Sequence, residues 1–230
     1  MSNNREALRA TATLEKSRTN PESLYGADYY AGGYATGTGD EYGRHEPWLS
    51  FFNRVAENIV KNHKPKRVAD IGCAFGLLVE ALCDRGVDAY GFDLSPYAIS
   101  NARNDMKDRL KVHSILEPIP LVDGCKYDLV ICIEVLEHLP PEQAQAAIVN
   151  LCSAGDRIIF SSTPDDFDEP THFNVLPTEE WLALFAKNYF FPAKKPQARY
   201  IAPHTFVVEK HVRRRGFIDQ MFGRNPKVDL

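Results

Sequence analysis

Apolar and polar positions fall into short blocks along this chain, and the period of the blocks changes from one element to the next. Arg67–Ile71 (R-V-A-D-I), Ala89–Asp93 (A-Y-G-F-D) and Leu110–Ser114 are short apolar-rich runs of strand length. Asp128–Glu134 (D-L-V-I-C-I-E) is nearly continuous and rich in β-formers, as a strand covered on both faces requires. Arg157–Ser161 (R-I-I-F-S) reads as a fifth strand. Helical patterns run between them. Trp48, Phe52, Val55 and Ile59 lie on one face behind Pro47, and a helix follows Gly76. Ser95 is placed to cap a helix that opens on Pro96 and carries Tyr97, Ile99 and Ala102; Pro141–Cys152 is helical. Thr178 can cap a helix bearing Trp181, Leu182 and Phe185, with Glu179 and Glu180 favourable in its first turn. Two last strands, Ala198–Ile201 and Thr205–Lys210, are separated by the turn-sized A-P-H. Strands alternate with helices and finish on a hairpin, which predicts an α/β fold: a doubly wound, mostly parallel sheet with an antiparallel C-terminal edge.

Outside this core the pattern dissolves. Residues 1–22 read as a frayed tail and 213–230 as a short basic one, leaving a covering segment at 23–64 and a core at 65–212. From Ser23 to Gly43, Tyr25, Tyr29, Tyr30, Tyr34 and Tyr42 are interspersed with glycines and share no period. Glycine loosens the backbone while tyrosine brings flat apolar area with a polar tip. Either a flap over a ligand or a loop whose tyrosines pad the core fits that composition.

Composition then narrows the class. The 230 residues suit one domain with appendages, and a net charge of −4 gives no overall attraction to nucleic acid or an anionic membrane. No run of about 18 apolar residues is present, so no membrane span is expected. Five cysteines without a C-x-x-C pair point to a reducing cytoplasm.

The chemistry gathers where the first two strands end. Asp70, Gly72, Ala74 and Gly76 follow strand one, and Asp93 closes strand two, twenty-three positions after Asp70, where a carboxylate can hold both hydroxyls of a ribose. A dinucleotide turn reads G-x-G-x-x-G against a pyrophosphate; here an acid stands ahead of the small residues, D-x-G-x-A-x-G, and favours a cationic ligand.

Three stretches in order, V-A-D-I-G-C-A-F-G, G-F-D-L-S and Y-D-L-V-I-C-I-E-V-L-E-H-L, resemble the motifs of class I S-adenosylmethionine-dependent methyltransferases of the small-molecule type. The resemblance implies a Rossmann-like, seven-stranded sheet and S-adenosylmethionine as cofactor. It carries the methionine moiety to Asp70 and Gly72, the ribose to Asp93, the adenine to Leu94, and the sulfonium to the neighbourhood of Glu134. Ala74 replaces the usual middle glycine. The third strand ends without the acid that often meets the adenine amino group, so Ser114 or the backbone of Ile115 stands in. P-T-H-F-N is similar to an acceptor-side loop, which places Asn174 beside Tyr25, Tyr29, Tyr30 and Tyr34 as acceptor contacts.

Methyl transfer is in-line displacement, so alignment matters most, and a general base is needed only for a protonated nucleophile. His138 and His172 are the candidates; His138 can alternatively pin the loop after the fourth strand. His204 and the remaining histidines read as structural or solvated. No cluster has metal-site spacing; Asp165, Asp166, Asp168 and Glu169 beside His172 could attract a divalent ion, but read first as a solvated loop. The expectation is a cytoplasmic methyltransferase, monomer or homodimer, acting on a small polar acceptor such as a sugar or natural-product hydroxyl. An NAD(P)-dependent oxidoreductase and a catalytically silent cofactor-binding protein are the rival readings.

Overall fold

The computed structural model describes residues 2–32 and 41–211, with side chains from residue 11 onward. Seven strands, β1 (Arg67–Ile71), β2 (Asp88–Asp93), β3 (Leu110–Val112), β4 (Leu129–Ile133), β5 (Arg157–Ser161), β6 (Phe190–Pro192) and β7 (Phe206–Lys210), form one sheet in the order β3-β2-β1-β4-β5-β7-β6. The first five pair in parallel, and β7 pairs antiparallel to both β5 and β6. The expected fold class is therefore observed.

Because side chains alternate across a strand, the sheet feeds two cores. Ala69, Ile71, Val130, Cys132, Ile158 and Phe160 face α6 (Ala144–Ala154) and α7 (Thr178–Ala186), where Trp181 and Phe185 are fully buried. Val68, Leu129, Ile131 and Ile159 face α3 (Trp48–His63) and α4 (Leu77–Cys83). The strand order reverses between β1 and β4, which opens a crevice at their carboxyl ends.

Three expectations need correction. The strand expected at Ala198–Ile201 is a turn, with the Ile201 N–H bonded to the Ala198 carbonyl at 3.0 Å. Phe190 comes directly after α7 and buries its ring against the core, so it takes the place beside β7, and residues 193–205 make the connection. The chain before Pro21, expected to fray, contains helix α1 (Ser2–Thr19). Ser17 there is buried, and Arg18 reaches Glu142 at 2.8 Å. Thr178 begins α7 rather than capping it, and Pro177 holds the cap position without a side-chain bond.

The capping expected of Ser95 is present, ahead of α5 (Pro96–Ser100). Its Oγ accepts the Ala98 N–H at 3.0 Å and donates to the Tyr25 carbonyl, tying the tyrosine segment to the core. Ser95→Ala should therefore lower stability by about 1–2 kcal/mol, read by urea denaturation. An unchanged midpoint would show that the cap contributes nothing.

Candidate active site

The turn after β1 owes its shape to alternating backbone signs. Gly72, Ala74 and Gly76 have φ of 77°, 46° and 71°. Alanine tolerates that region at a cost of about 1–2 kcal/mol, and Asp93 helps to hold it there. The Asp93 carboxylate accepts the Ala74 N–H through Oδ2 and the Ser95 N–H through Oδ1, both at 2.7 Å. Each oxygen keeps a lone pair, and the residue lines a cavity of 480 Å³. That volume is within the about 300–1,000 Å³ typical of small-molecule sites. Phe92 and Leu94 flank Asp93, with His113, Ser114, Ile115 and Leu116 at the wall beyond β3, a slot suited to a flat ring.

Electrostatically this end calls for a cation. Burial pushes Asp93 upward, though its two N–H donors oppose the shift. Asp70 lies behind the cavity wall, 5% exposed, and burial together with the Asp93 charge pushes it up to about 7. Neither carboxylate is paired with a basic side chain among the described residues. An unfolded carboxyl near 3.8 gives up its proton first, so this contribution to stability is present at low pH and is lost as pH rises through about 7. A cationic ligand favours the ionised form instead. S-adenosylmethionine should bind more tightly as pH rises toward about 7 and level off above, with protons released on binding near pH 6. Calorimetry in two buffers of different ionisation heat reads that release directly; none at all would remove Asp70 from the binding electrostatics.

At the far end, β4 delivers Glu134 at φ 51°. Its Oε1 accepts from Ser161 Oγ and lies 2.9 Å from His204 Nε2. Burial opposes ionisation of Glu134, yet hydrogen bonds from His204, Glu137 and Ser161 outweigh it and hold the carboxyl below its usual range. The same bond raises His204. Beyond Glu134 the chain makes a short 3-10 turn, Leu136–His138, in which Glu137 is fully buried. His138 and His172 approach with ring centroids 4.6 Å apart, and Tyr25 and Tyr29 meet His138 edge-on at 5.8 and 6.2 Å. The Nδ1 of His138 lies 2.9 Å from Thr171 Oγ1 and 3.2 Å from the Thr171 carbonyl; that of His172 lies 2.9 Å from the Asp166 carbonyl. A carbonyl only accepts, so both Nδ1 atoms donate and Nε2 is the nitrogen left free on each ring. Burial, with His172 adding to it, lowers His138 to about 3.

One cavity thus joins most of the residues that the sequence singled out. Gly72, Ala74, Asp93, Leu94, Ser114, Ile115, Glu134, His138, His172, Tyr25, Tyr29 and Tyr30 all line it. Three others do not. Asp70 stands behind the wall, Gly76 shapes the start of α4 beneath Leu110, and Asn174 is buried with its N–H on the Glu137 carbonyl at 2.9 Å. Tyr34 lies outside the described residues. In the tyrosine segment, Tyr30 pads the core, 5% exposed in an aromatic cluster with Phe75, and it also walls the cavity.

Several lining residues escaped the sequence reading. His204, expected to be structural or solvated, lies just before β7, which brings it to the sheet edge where the cavity opens. Ser17 and Pro21 come from the segment expected to fray. The one available signal for α1 was its run of good helix formers, since it carries no apolar stripe. The expectation of no metal site also meets a contrary observation: one ligand atom each of Glu137, His138 and His172 lies within 4.8 Å of the others.

Comparison with known proteins converges on the same chemistry. Residues 41–212 match the family described as "Methyltransferase domain". Among curated proteins, the chain is 35% identical over 127 residues to the ubiquinone biosynthesis O-methyltransferase of Alkalilimnicola ehrlichii, covering 53% of this chain and 51% of that protein. It is 31% identical over 126 residues to the enzyme of the same name from Coxiella burnetii, covering 50% and 54%. The chain spans about half the length of the curated relatives it matches. Among solved structures, it resembles magnesium protoporphyrin IX methyltransferase from Synechocystis PCC 6803 with bound S-adenosylmethionine at 22% identity and TM-score 0.55, covering 82% of this chain and 95% of that one. It also resembles 1,6-didemethyltoxoflavin-N1-methyltransferase from Burkholderia thailandensis at 13% identity and TM-score 0.58, covering 86% and 90%. With the family matched across three-quarters of its length and the expected sheet in place, the chain belongs to the class I S-adenosylmethionine-dependent methyltransferases.

Proposed function

We propose that the chain transfers a methyl group from S-adenosylmethionine to an oxygen of a small polar acceptor, of the kind a sugar or natural-product hydroxyl represents. The observation that carries this reading is the single cavity running from Asp93 to the His138–His172 pair and walled by Tyr25, Tyr29 and Tyr30. The bound cofactor supplies an electrophilic methyl on a sulfonium. In this reading Asp93 holds the ribose, Leu94 and Ile115 sandwich the adenine, and Ser114 or the Ile115 backbone meets its amino group. Gly72 lets the main chain approach the methionine moiety, while Asp70 and Asp93 together offset its positive charge. Glu134 flanks the reacting centre, and the tyrosines exclude water from it. His138 and His172 turn their Nε2 atoms toward the acceptor.

Support for oxygen as the acceptor atom comes from the names of the curated relatives, and support for a small molecule comes from the cavity's volume of 480 Å³. The net charge of −4 speaks against a nucleic-acid acceptor. Among the described residues no helix is long and apolar enough to cross a membrane. The proposal includes a cytoplasmic monomer or homodimer. Incubation with methyl-labelled donor and a panel of hydroxylated metabolites, read by product mass, tests it. Label should appear on a hydroxyl of a small molecule; label only on nucleic acid or protein would overturn the acceptor class.

A further inference from the structure

We propose that His204 is the general base of the transfer, with Glu134 as the carboxylate that orients it. The inference rests on the reading of the acceptor as a hydroxyl, because an oxygen nucleophile that arrives protonated has a proton to lose.

The tautomer is the first argument. His204 Nε2 lies 2.9 Å from Glu134 Oε1. An ionised carboxylate only accepts, so Nε2 carries the proton and Nδ1 keeps its lone pair. Among the described residues, the Glu134 contact is the one hydrogen bond of this ring. His204 lines the cavity, so Nδ1 is the nitrogen available to an acceptor there.

Fixed supports are the second. Glu134 is tied to β5 twice: its N–H donates to the Ser161 carbonyl at 2.9 Å, and its Oε1 accepts from the Ser161 hydroxyl. His204 lies inside a tight turn. The Thr205 N–H closes it on the Ala202 carbonyl at 3.0 Å, and the Ala202 N–H meets Thr205 Oγ1 at 3.1 Å. Both partners are therefore placed before any acceptor binds, as a catalytic pair requires.

The third argument separates His204 from the other histidines of the chamber. His138 is packed against Tyr25, Tyr29 and His172, where burial disfavours an imidazolium. His172 gives its Nδ1–H to the Asp166 carbonyl at 2.9 Å, with the carboxylate of that residue farther off at 3.6 Å. An imidazolium at His204 instead meets Glu134 at the end of β4 and Asp165 in the loop after β5, and both charges raise it. Glu137, behind Glu134, is held toward its neutral form by burial. A partly exposed pair of this kind adds little to the stability of the fold, so stability does not account for the arrangement.

In the step, the acceptor O–H bond breaks and its proton passes to His204 Nδ1. The oxygen's electron pair forms the bond to the methyl group. The pair of the broken carbon–sulfur bond stays on sulfur, which leaves neutral S-adenosylhomocysteine. The new positive charge on the ring sits beside Glu134, and His204, partly exposed, returns the proton to solvent.

Nitrogen NMR of the full-length chain with S-adenosylhomocysteine tests the pair, with His204 assigned by its loss in His204→Gln. Transfer to the panel of hydroxylated metabolites tests the base. The neutral ring should be protonated on Nε2, and its pKa should lie above the about 6.5 of a free imidazole and fall in Glu134→Gln. His204→Ala should lower kcat about 100-fold or more while keeping KM and S-adenosylhomocysteine affinity, which also shows that it folds. Imidazole added to the buffer should restore part of its rate, and kcat of the unsubstituted chain should rise with pH through the pKa found by NMR. A ring protonated on Nδ1, a pKa that Glu134→Gln leaves unchanged, an unchanged kcat in His204→Ala or no rescue by imidazole overturns the assignment. Absence of transfer to every hydroxyl of the panel counts instead against the oxygen reading, and the tautomer and the effect of Glu134→Gln then decide the Glu134–His204 pair alone.

Discussion

Asp93→Ala should weaken binding of S-adenosylhomocysteine by about 100-fold or more, on the basis that charge-assisted hydrogen bonds contribute about 1.5–3 kcal/mol each. Two losses combine. In the proposed pose the carboxylate gives up both ribose hydroxyls. The Ala74 and Ser95 N–H groups, each now bonded at 2.7 Å, lose their acceptor as well. Ala74 is held at φ 46° beside that bond, so the turn after β1 should relax and carry Gly72 with it. The variant should therefore be less stable without ligand, by about 2–4 kcal/mol if both orphaned donors stay buried. Asp93→Asn separates the two effects, because it keeps the volume and one acceptor while setting an NH₂ group against one backbone donor. It should also lower the Asp70 pKa, since the Asp93 charge is one of the two causes that raise it. Calorimetry for affinity and a pH series of unfolding midpoints check both. Unchanged affinity in Asp93→Ala would move the donor pocket elsewhere.

Gly72→Ala is the second large effect. A methyl group there would lie 2.2 Å from Val135 Cγ2, and the position already has φ 77°. Overpacking of this kind costs about 1–3 kcal/mol, and a left-handed non-glycine residue about 1–2 more. Val135 follows Glu134 and lines the cavity, so the clash should reach the reacting centre as well as the fold. Donor affinity and thermal midpoint should fall together. Adding Val135→Ala should restore the steric part but not the backbone part, so a double-mutant cycle should show coupling. Purely additive effects would mean that the close approach of these two residues does not matter.

Legibility in the sequence followed the range of the interactions. The span from Arg67 to Asp93 was readable because strand, turn, helix and strand are local, and Asp93 bonds Ala74 only nineteen residues away. The parallel core was readable from alternation and run length. The edge strand is hard to place because Phe190–Pro192 is three residues long, too short to show a period, while the alternation of Ala198, Arg199, Tyr200 and Ile201 imitates one. The acceptor end was hardest. His204 meets Glu134 across seventy residues, and Glu137 meets the His172 loop through main-chain bonds to Phe173 and Asn174. No spacing rule reports contacts of that kind.

A crystal structure with S-adenosylhomocysteine tests the central claim most directly, because the account makes donor and acceptor ends parts of one cavity. Both ribose hydroxyls should lie within hydrogen-bond distance of the Asp93 carboxylate, with the adenine between Leu94 and Ile115 and the sulfur facing the His138–His172 pair. A ribose bound elsewhere, or a sulfur turned away from the two histidines, would contradict it.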